Sequence, residues 1–113
     1  MSAVAERVVP VEILSFDGCP NWQGTVELVE RIAAEIGVQT DVRIVAVPDP
    51  ETAQKLRFLG SPTVRIAGQD VEPGAAARTD FALSCRLYRT DAGLQGQPDE
   101  RWVRAALAEC ARR

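Results

Sequence analysis

The first half of the chain alternates between strand-like and helix-like patterns, and this alternation constrains the fold more than any other feature. Residues 8–16 are apolar and rich in β-branched side chains, which favours a strand. Apolar residues then recur at helical spacing over residues 22–36, and Gly37 is a typical helix terminator. Residues 41–47 predict a second strand. A strand, a helix and a strand in this order favour a parallel pair with a right-handed crossover.

The second half of the chain adds shorter elements. Residues 51–59 predict a helix, and residues 63–67 predict a third strand. Residues 68–83 predict a long loop, a feature that is often functional or mobile in compact domains. Residues 85–89 predict a fourth strand, which can pair with the third as an antiparallel hairpin, and residues 98–110 predict the last helix. The order β-α-β-α-β-β-α predicts an α/β fold with a four-stranded mixed sheet and helices on both faces.

Length and charge place the chain among ordinary globular proteins. Its 113 residues suffice for a single domain that spans residues 1–113. The net charge of −3 argues against binding to nucleic acid or to an anionic membrane, because both require a basic surface. No apolar run approaches the roughly 20 residues that span a bilayer, and residues 1–7 lack the pattern of a signal peptide. We therefore expect a cytoplasmic protein.

Three cysteines and the absence of histidine limit the chemistry that the chain can perform. An odd number of cysteines does not suggest a disulfide scaffold, and a reducing cytosol keeps thiols free. Without histidine the chain lacks the commonest general base and the commonest zinc ligand. No cysteines and carboxylates have the spacing of a zinc site. The sequence therefore predicts neither a bound metal nor a cofactor, and the thiols are the candidate reactive groups.

Two short motifs lie at the ends of predicted strands. Residues 16–22 (Phe-Asp-Gly-Cys-Pro-Asn-Trp) follow the first strand, and residues 60–63 (Gly-Ser-Pro-Thr) precede the third. Together they resemble the thioredoxin superfamily, which places its Cys-x-x-Cys motif and a cis-proline at these positions. The chain is also similar to a bacterial group of thioredoxin-family proteins, some of which are labelled alkylmercury lyase. Cleaving an organomercurial needs paired thiolates, and the sequence contains no close cysteine pair.

The resemblance implies roles for individual residues. Cys19 matches the nucleophilic cysteine, while Trp22 stands where the second, resolving cysteine would be. Pro62 matches a cis-proline that faces the nucleophile. Ser61 would offer its backbone N–H and C=O to an extended substrate, with Thr63 and Trp22 in the same substrate site. The residues alone also allow a packed cysteine, a tryptophan that covers the start of the helix, and a plain turn.

The position of Cys19 before a helix favours a reactive thiol. The thiolate is the reactive form of cysteine, and the positive end of a helix dipole stabilises it. Asp17 would act in the opposite direction, so we expect moderate activation. With Trp22 in place of a partner, a mixed disulfide on Cys19 would need an external low-molecular-weight thiol, or Cys85, to resolve it.

Whether Cys85 can reach Cys19 depends on the topology. If residues 85–89 run antiparallel to the third strand, Cys85 lies about 13 Å from the end of the strand that is closest to Cys19. A disulfide needs Cα atoms within about 7 Å, so this topology excludes the pair. The long loop before Cys85 leaves room for another path.

The remaining candidates have ordinary structural interpretations. Cys110 follows Val103 and Leu107 at helical spacing, so we expect it in the core. Arg86 and Tyr88 share one face of the predicted fourth strand, where they would suit an anionic substrate. A solvated Arg86 and a packed Tyr88 are the preferred interpretation.

The leading hypothesis is a thiol protein that uses Cys19 for monothiol-type thiol–disulfide exchange or for thiol sensing. Its partner would be a low-molecular-weight thiol or a protein disulfide. A second hypothesis is a redox-inactive binding module, whose groove between Trp22 and Pro62 grips an extended segment of a partner. A third is soft-metal binding by Cys19 with Cys85. The sequence leaves the substrate, the reductant and the oligomeric state open.

Overall fold

A computed structural model of the chain describes residues 8–112. The expectation about the N-terminal segment, residues 1–7, lies outside the described residues. No helix within residues 8–112 combines the length and the apolar character needed to cross a bilayer.

Four strands form one mixed sheet, as predicted. They are β1 (Val8–Ser15), β2 (Gln39–Ala46), β3 (Thr63–Ile66) and β4 (Gln69–Asp70). Their spatial order is β2-β1-β3-β4, with β1 and β2 parallel and the other pairs antiparallel. The parallel pair confirms the strand–helix–strand unit expected in the first half of the chain.

The predicted position of the fourth strand is wrong. It lies at β4, inside the segment expected to be a long loop, and a short 3-10 helix follows at Ala75–Ala77. Ala67 and Gly68 both have positive φ, 53° and 85°, which is the backbone of a tight hairpin turn between β3 and β4. The residues expected to form the fourth strand instead lead into a separate hairpin of β5 (Tyr88–Thr90) and β6 (Gly93–Gln95).

Three α-helices lie within residues 8–112, namely α1 (Trp22–Ile36), α2 (Pro50–Lys55) and α3 (Glu100–Ala111). Gly37 ends α1 in the left-handed conformation, as its place in the sequence predicts. The side chain of Asp49 caps α2, which ends at Lys55 and is shorter than expected.

The main hydrophobic core lies between one face of the sheet and the pair α1 and α3. It is built from alternate residues of β1 and β3 and from the apolar stripes of the two helices, including Val11, Ile13, Ile32, Val64 and Leu107. Cys110 packs against its margin, partly buried. A smaller cluster, formed by Leu14, Val47, Ala53 and Phe58, lies on the opposite face of β1, where α2 supplies Ala53. Helical residues therefore pack on both faces of the sheet.

Helix α3 stabilises the fold mainly through the apolar side chains that it buries against the sheet. Leu107 is 0% exposed, whereas Leu94 in the β5–β6 hairpin is 59% exposed. We expect Leu107→Ala to lower the free energy of unfolding by about 2–5 kcal/mol, because it removes buried methyl groups and leaves a cavity. Leu94→Ala should change it by less than about 0.5 kcal/mol. Urea denaturation of the two variants checks this, and equal losses would contradict the assigned core.

Candidate thiol site

Cys19 lies in a tight turn between β1 and α1. Its backbone N–H donates to the carbonyl oxygen of Phe16 at 3.2 Å, and Gly18 supplies the positive φ, 88°, within the turn. Cys19 is buried, with only 5% of the residue's surface exposed. The first helical residue is Trp22, which is half-buried, so Cys19 and Pro20 precede α1 rather than belonging to its first turn.

Strand register brings the two motifs to one end of the sheet. Leu14 of β1 pairs with Thr63 of β3, and β1 and β3 are antiparallel. The residues that follow β1 therefore lie at the same end of the sheet as the residues that precede β3. This places the Cys19 turn and the Ser61–Pro62 pair at one end. The Ser61–Pro62 peptide bond is cis.

The chain's own residues occupy the backbone of Ser61. Its N–H donates to the carbonyl oxygen of Ser84 at 2.8 Å, and its carbonyl oxygen accepts from the N–H of Arg86 at 2.9 Å. Both backbone groups that the resemblance assigns to an extended substrate are thus already hydrogen-bonded. We call residues 84–88, which run beside Ser61 and on to Tyr88, the strap.

The strap places Cys85 differently from the sequence-based expectation. Cys85 forms an isolated parallel bridge with Ser61, so the antiparallel topology that put it at the far end of the third strand is wrong. Its side chain is exposed and its thiol is free. Because Ser61 lies at the Cys19 end of the sheet, the structure brings Cys85 to the same end as Cys19.

A buried guanidinium fixes the strap. Arg86 has 1% of its side chain exposed and forms ion pairs with Asp70 at 2.8 Å and with Glu72 at 2.7 Å. Its Nη1 also donates to the hydroxyl of Thr63 at 2.9 Å. The expected solvated Arg86 is therefore wrong, because two carboxylates compensate for the loss of water. Thr63, predicted to contact substrate, instead holds Arg86 and donates its own proton to the carbonyl oxygen of Gly60 at 2.6 Å.

Tyr88 is packed, as predicted, and closes the far end of the strap. Its hydroxyl donates to the carbonyl oxygen of Pro62, and the guanidinium carbon of Arg86 lies 4.4 Å from the centre of its ring. Burial raises the pKa of Tyr88 far above the usual value for a phenol. The side chain is therefore a neutral hydrogen-bond donor at neutral pH.

Gly60 permits the close approach of the strap to the start of β3. Its φ is 123°, and a Cβ at this position would lie 2.9 Å from the Cβ of Arg86. Only glycine adopts this positive φ readily and also leaves room for the side chain of Arg86. The sequence signal for this contact is the glycine itself, but it does not reveal which segment approaches.

The polar groups of the site are nearly all satisfied. Among the described residues, the buried side-chain atoms without a hydrogen-bond partner are Ser61 Oγ and Arg86 Nε. No group of three or more cysteines and carboxylates within residues 8–112 is arranged to hold a metal ion. Two free thiols, Cys19 and Cys85, lie at this end of the sheet.

Comparison with protein-family models, with curated proteins and with solved structures finds no match for this chain. The chemistry of the site is therefore inferred from its own geometry. That geometry is a buried thiol and an exposed thiol at the same end of the sheet, with the strap held in place by Arg86.

The fit between Gly60 and the strap can be tested by substitution. We expect Gly60→Ala to lower the free energy of unfolding by about 3 kcal/mol or more, because it combines backbone strain with a steric clash. Gly68→Ala is the matched control: its φ is 85° and no atom lies within 4 Å of the added Cβ. It should cost only about 1 kcal/mol, which is the backbone contribution. Equal losses in urea denaturation would show that the strap does not pack against Gly60.

Tyr88 gives a direct spectroscopic test, because it is the only tyrosine in the chain. An unfolded chain ionises its phenol near pH 10, whereas the folded chain retains the proton. Above about pH 10 the unfolded state binds fewer protons, so stability should fall by about 1.4 kcal/mol per pH unit from this group. Tyrosinate absorbance should rise only as the protein unfolds. A folded chain that titrates near the pH of a urea-denatured control would contradict the buried phenol.

Proposed function

We propose that the chain is a thiol–disulfide exchange protein of thioredoxin-like fold, in which Cys19 is the nucleophile and Cys85 is the second thiol. The observation that carries this proposal is the bridge between Ser61 and Cys85. The bridge brings a second thiol to the same end of the sheet as Cys19, whose own motif has Trp22 in place of the resolving cysteine, and this supports the proposal. A second thiol in the same chain can resolve a mixed disulfide on Cys19 without an external thiol.

The thioredoxin-like fold has two independent supports. The sheet has the order β2-β1-β3-β4 with one parallel and two antiparallel pairs, and α1 connects the parallel pair. The Cys-Pro motif lies immediately after β1, and Ser61-Pro62-Thr63 leads into β3 at the same end of the sheet. The resemblance in sequence and the arrangement of elements thus agree.

The reaction proceeds in two exchange steps. In the first, the Cys19 thiolate attacks a disulfide RS–SR, forming a Cys19–SR mixed disulfide and releasing RS⁻, which takes a proton from water. In the second, the Cys85 thiolate attacks the sulfur of Cys19 and releases the second RS⁻. The substrate disulfide is reduced to two thiols, while Cys19 and Cys85 are oxidised to one disulfide. Two molecules of an external low-molecular-weight thiol restore the protein thiols and form its disulfide.

Access to the site favours a small disulfide as the substrate. Cys19 is only 5% exposed, so a small disulfide can approach its sulfur more readily than a disulfide in a folded protein can. An extended polypeptide would also compete with the strap for the backbone of Ser61, where Ser84 and Arg86 already bind. For the same reason the structure gives less support to a binding module that grips an extended partner beside Pro62.

Three single substitutions separate the roles of the thiols. The reduced protein is mixed with bis(2-hydroxyethyl) disulfide, and released thiol and intact protein mass are followed together. The native chain should release two thiols per protein and lose the mass of two hydrogen atoms through its internal disulfide. Cys85→Ser should release one thiol and retain a 2-hydroxyethylthio adduct on Cys19. Cys19→Ser should form no internal disulfide, and Cys110→Ser should behave as the native chain.

Two outcomes would overturn the proposal. Cys19→Ser that exchanges as fast and as completely as the native chain would remove Cys19 from the reaction. A native chain that accumulates the mixed disulfide, with Cys85→Ser indistinguishable from it, would remove Cys85. Stoichiometric binding of one Hg²⁺ by both thiols, with no exchange activity, would favour soft-metal binding by Cys19 and Cys85 instead.

A further inference from the structure

β2 forms an open edge of the sheet. It is eight residues long, and within residues 8–112 it pairs with β1 on one side only. Backbone N–H and C=O groups along its other side therefore face outward. A long, regular edge of this kind is a ready template for pairing with another strand.

The side chains of β2 give this edge a distinctive pattern. Val42 packs against the main core, so Val42 and Ile44 face the helices while Asp41 and Arg43 face the opposite side. Asp41 and Arg43 form an ion pair at 3.1 Å and are 51% and 74% exposed. Ile44 is a large aliphatic residue on the same edge and is 46% exposed. The edge thus combines one acid, one base and an uncovered apolar residue.

The charges on β2 are complementary to those on a second β2 strand that runs antiparallel to it. In an antiparallel pair of β2 strands centred on Val42, Asp41 lies opposite Arg43 of the second copy, and Arg43 lies opposite its Asp41. Val42 meets its own counterpart, and Ile44 meets Thr40 on the helical face. Opposite charges directly across an antiparallel pair are stabilising.

Neighbouring registers do not have this property. Centring the pair on Asp41 places two carboxylates opposite each other, and centring it on Arg43 does the same with two guanidinium groups. Centring it on Ile44 leaves Arg43 opposite Val45. The charges therefore favour one register, and a twofold axis perpendicular to the sheet keeps the helices of both copies on the same face.

We infer that the partner of this edge is a second copy of the chain, bound through antiparallel pairing of the two β2 strands about Val42. The two sheets then join into one sheet of eight strands, with the Asp41–Arg43 ion pairs repeated across the junction. A second copy fits better than an unrelated strand, because Asp41 and Arg43 flank Val42. In an antiparallel pair centred on Val42, each of them therefore lies opposite a residue of the other charge. This inference is independent of the thiol chemistry.

Charge reversal tests the register without disturbing the core, because both side chains are exposed. Sedimentation velocity over about 1 µM to 1 mM protein gives the dimer dissociation constant of each variant. Asp41→Arg places arginines opposite arginines, and Arg43→Asp places carboxylates opposite carboxylates. Each should raise the dissociation constant about tenfold or more. The double variant D41R/R43D exchanges the charges and should restore the native value.

Mixing the two single variants gives the sharpest result. One carries two bases and the other two acids on the same edge, so an equimolar mixture should form a heterodimer although each alone is weakened. Arg112→Asp, which reverses an exposed cation just after the last residue of α3, is the control and should dimerise as the native chain. Thermal unfolding of each variant confirms that it is folded.

Three results would overturn the inference. A native chain that stays monomeric up to about 1 mM has no such interface. Single variants that dimerise as tightly as the native chain would place the contact elsewhere. A mixture of the single variants that shows no gain in association would exclude the proposed register.

Discussion

The buried guanidinium of Arg86 is the interaction on which the rest of the site depends. A charged side chain that is 1% exposed would be strongly destabilising alone, and here it binds two carboxylates and a hydroxyl from different parts of the chain. Asp70 comes from β4 and Thr63 from β3, so the same contacts join the short outer strand to its neighbour. Because Arg86 belongs to the strap, these contacts also hold the strap in place. The position of Cys85 beside Ser61 follows from this one anchor.

The anchored strap changes what the end of the sheet can bind. Ser61 has no free backbone group to offer, since both are hydrogen-bonded to Ser84 and Arg86. In return, the strap brings a second, exposed thiol to the end where Cys19 lies buried. Both backbone groups of Ser61 are therefore used within the chain, and our proposal is that this end of the sheet acts as a two-thiol centre for small disulfides.

The sequence predicted the strands and the helix whose residues show a clear local pattern. β1, α1 and β2 have long apolar or periodic stretches, and Gly37 marks the end of α1, so their positions were confirmed. β4 was missed because a strand of two polar residues has no periodicity, and its turn relies on a positive φ at Ala67, which no residue type announces. The alternation over residues 85–89 was genuine, but it reflects the inward packing of Arg86 and Tyr88 rather than a place in the sheet.

The site was predicted in part for the same reason. The motifs around Cys19 and Pro62 are local, and strand register brings them together as the order of elements implies. The ion pairs of Arg86 join residues separated by 14 and 16 positions, and a single sequence does not show which of its acidic residues are the partners. The placement of Cys85 depended on those contacts, so the antiparallel topology expected for its segment was wrong.

Hydrogen exchange at the backbone amides of Ser61 and Arg86 tests the central claim that the strap occupies the start of β3. Both N–H groups donate to carbonyl oxygens within the protein, at 2.8 and 2.9 Å. We predict that both exchange at least about 100-fold more slowly than unprotected loop amides, and that they lose protection together, because they belong to one cooperative unit. Exchange of either amide at the rate of an unprotected loop would contradict the account.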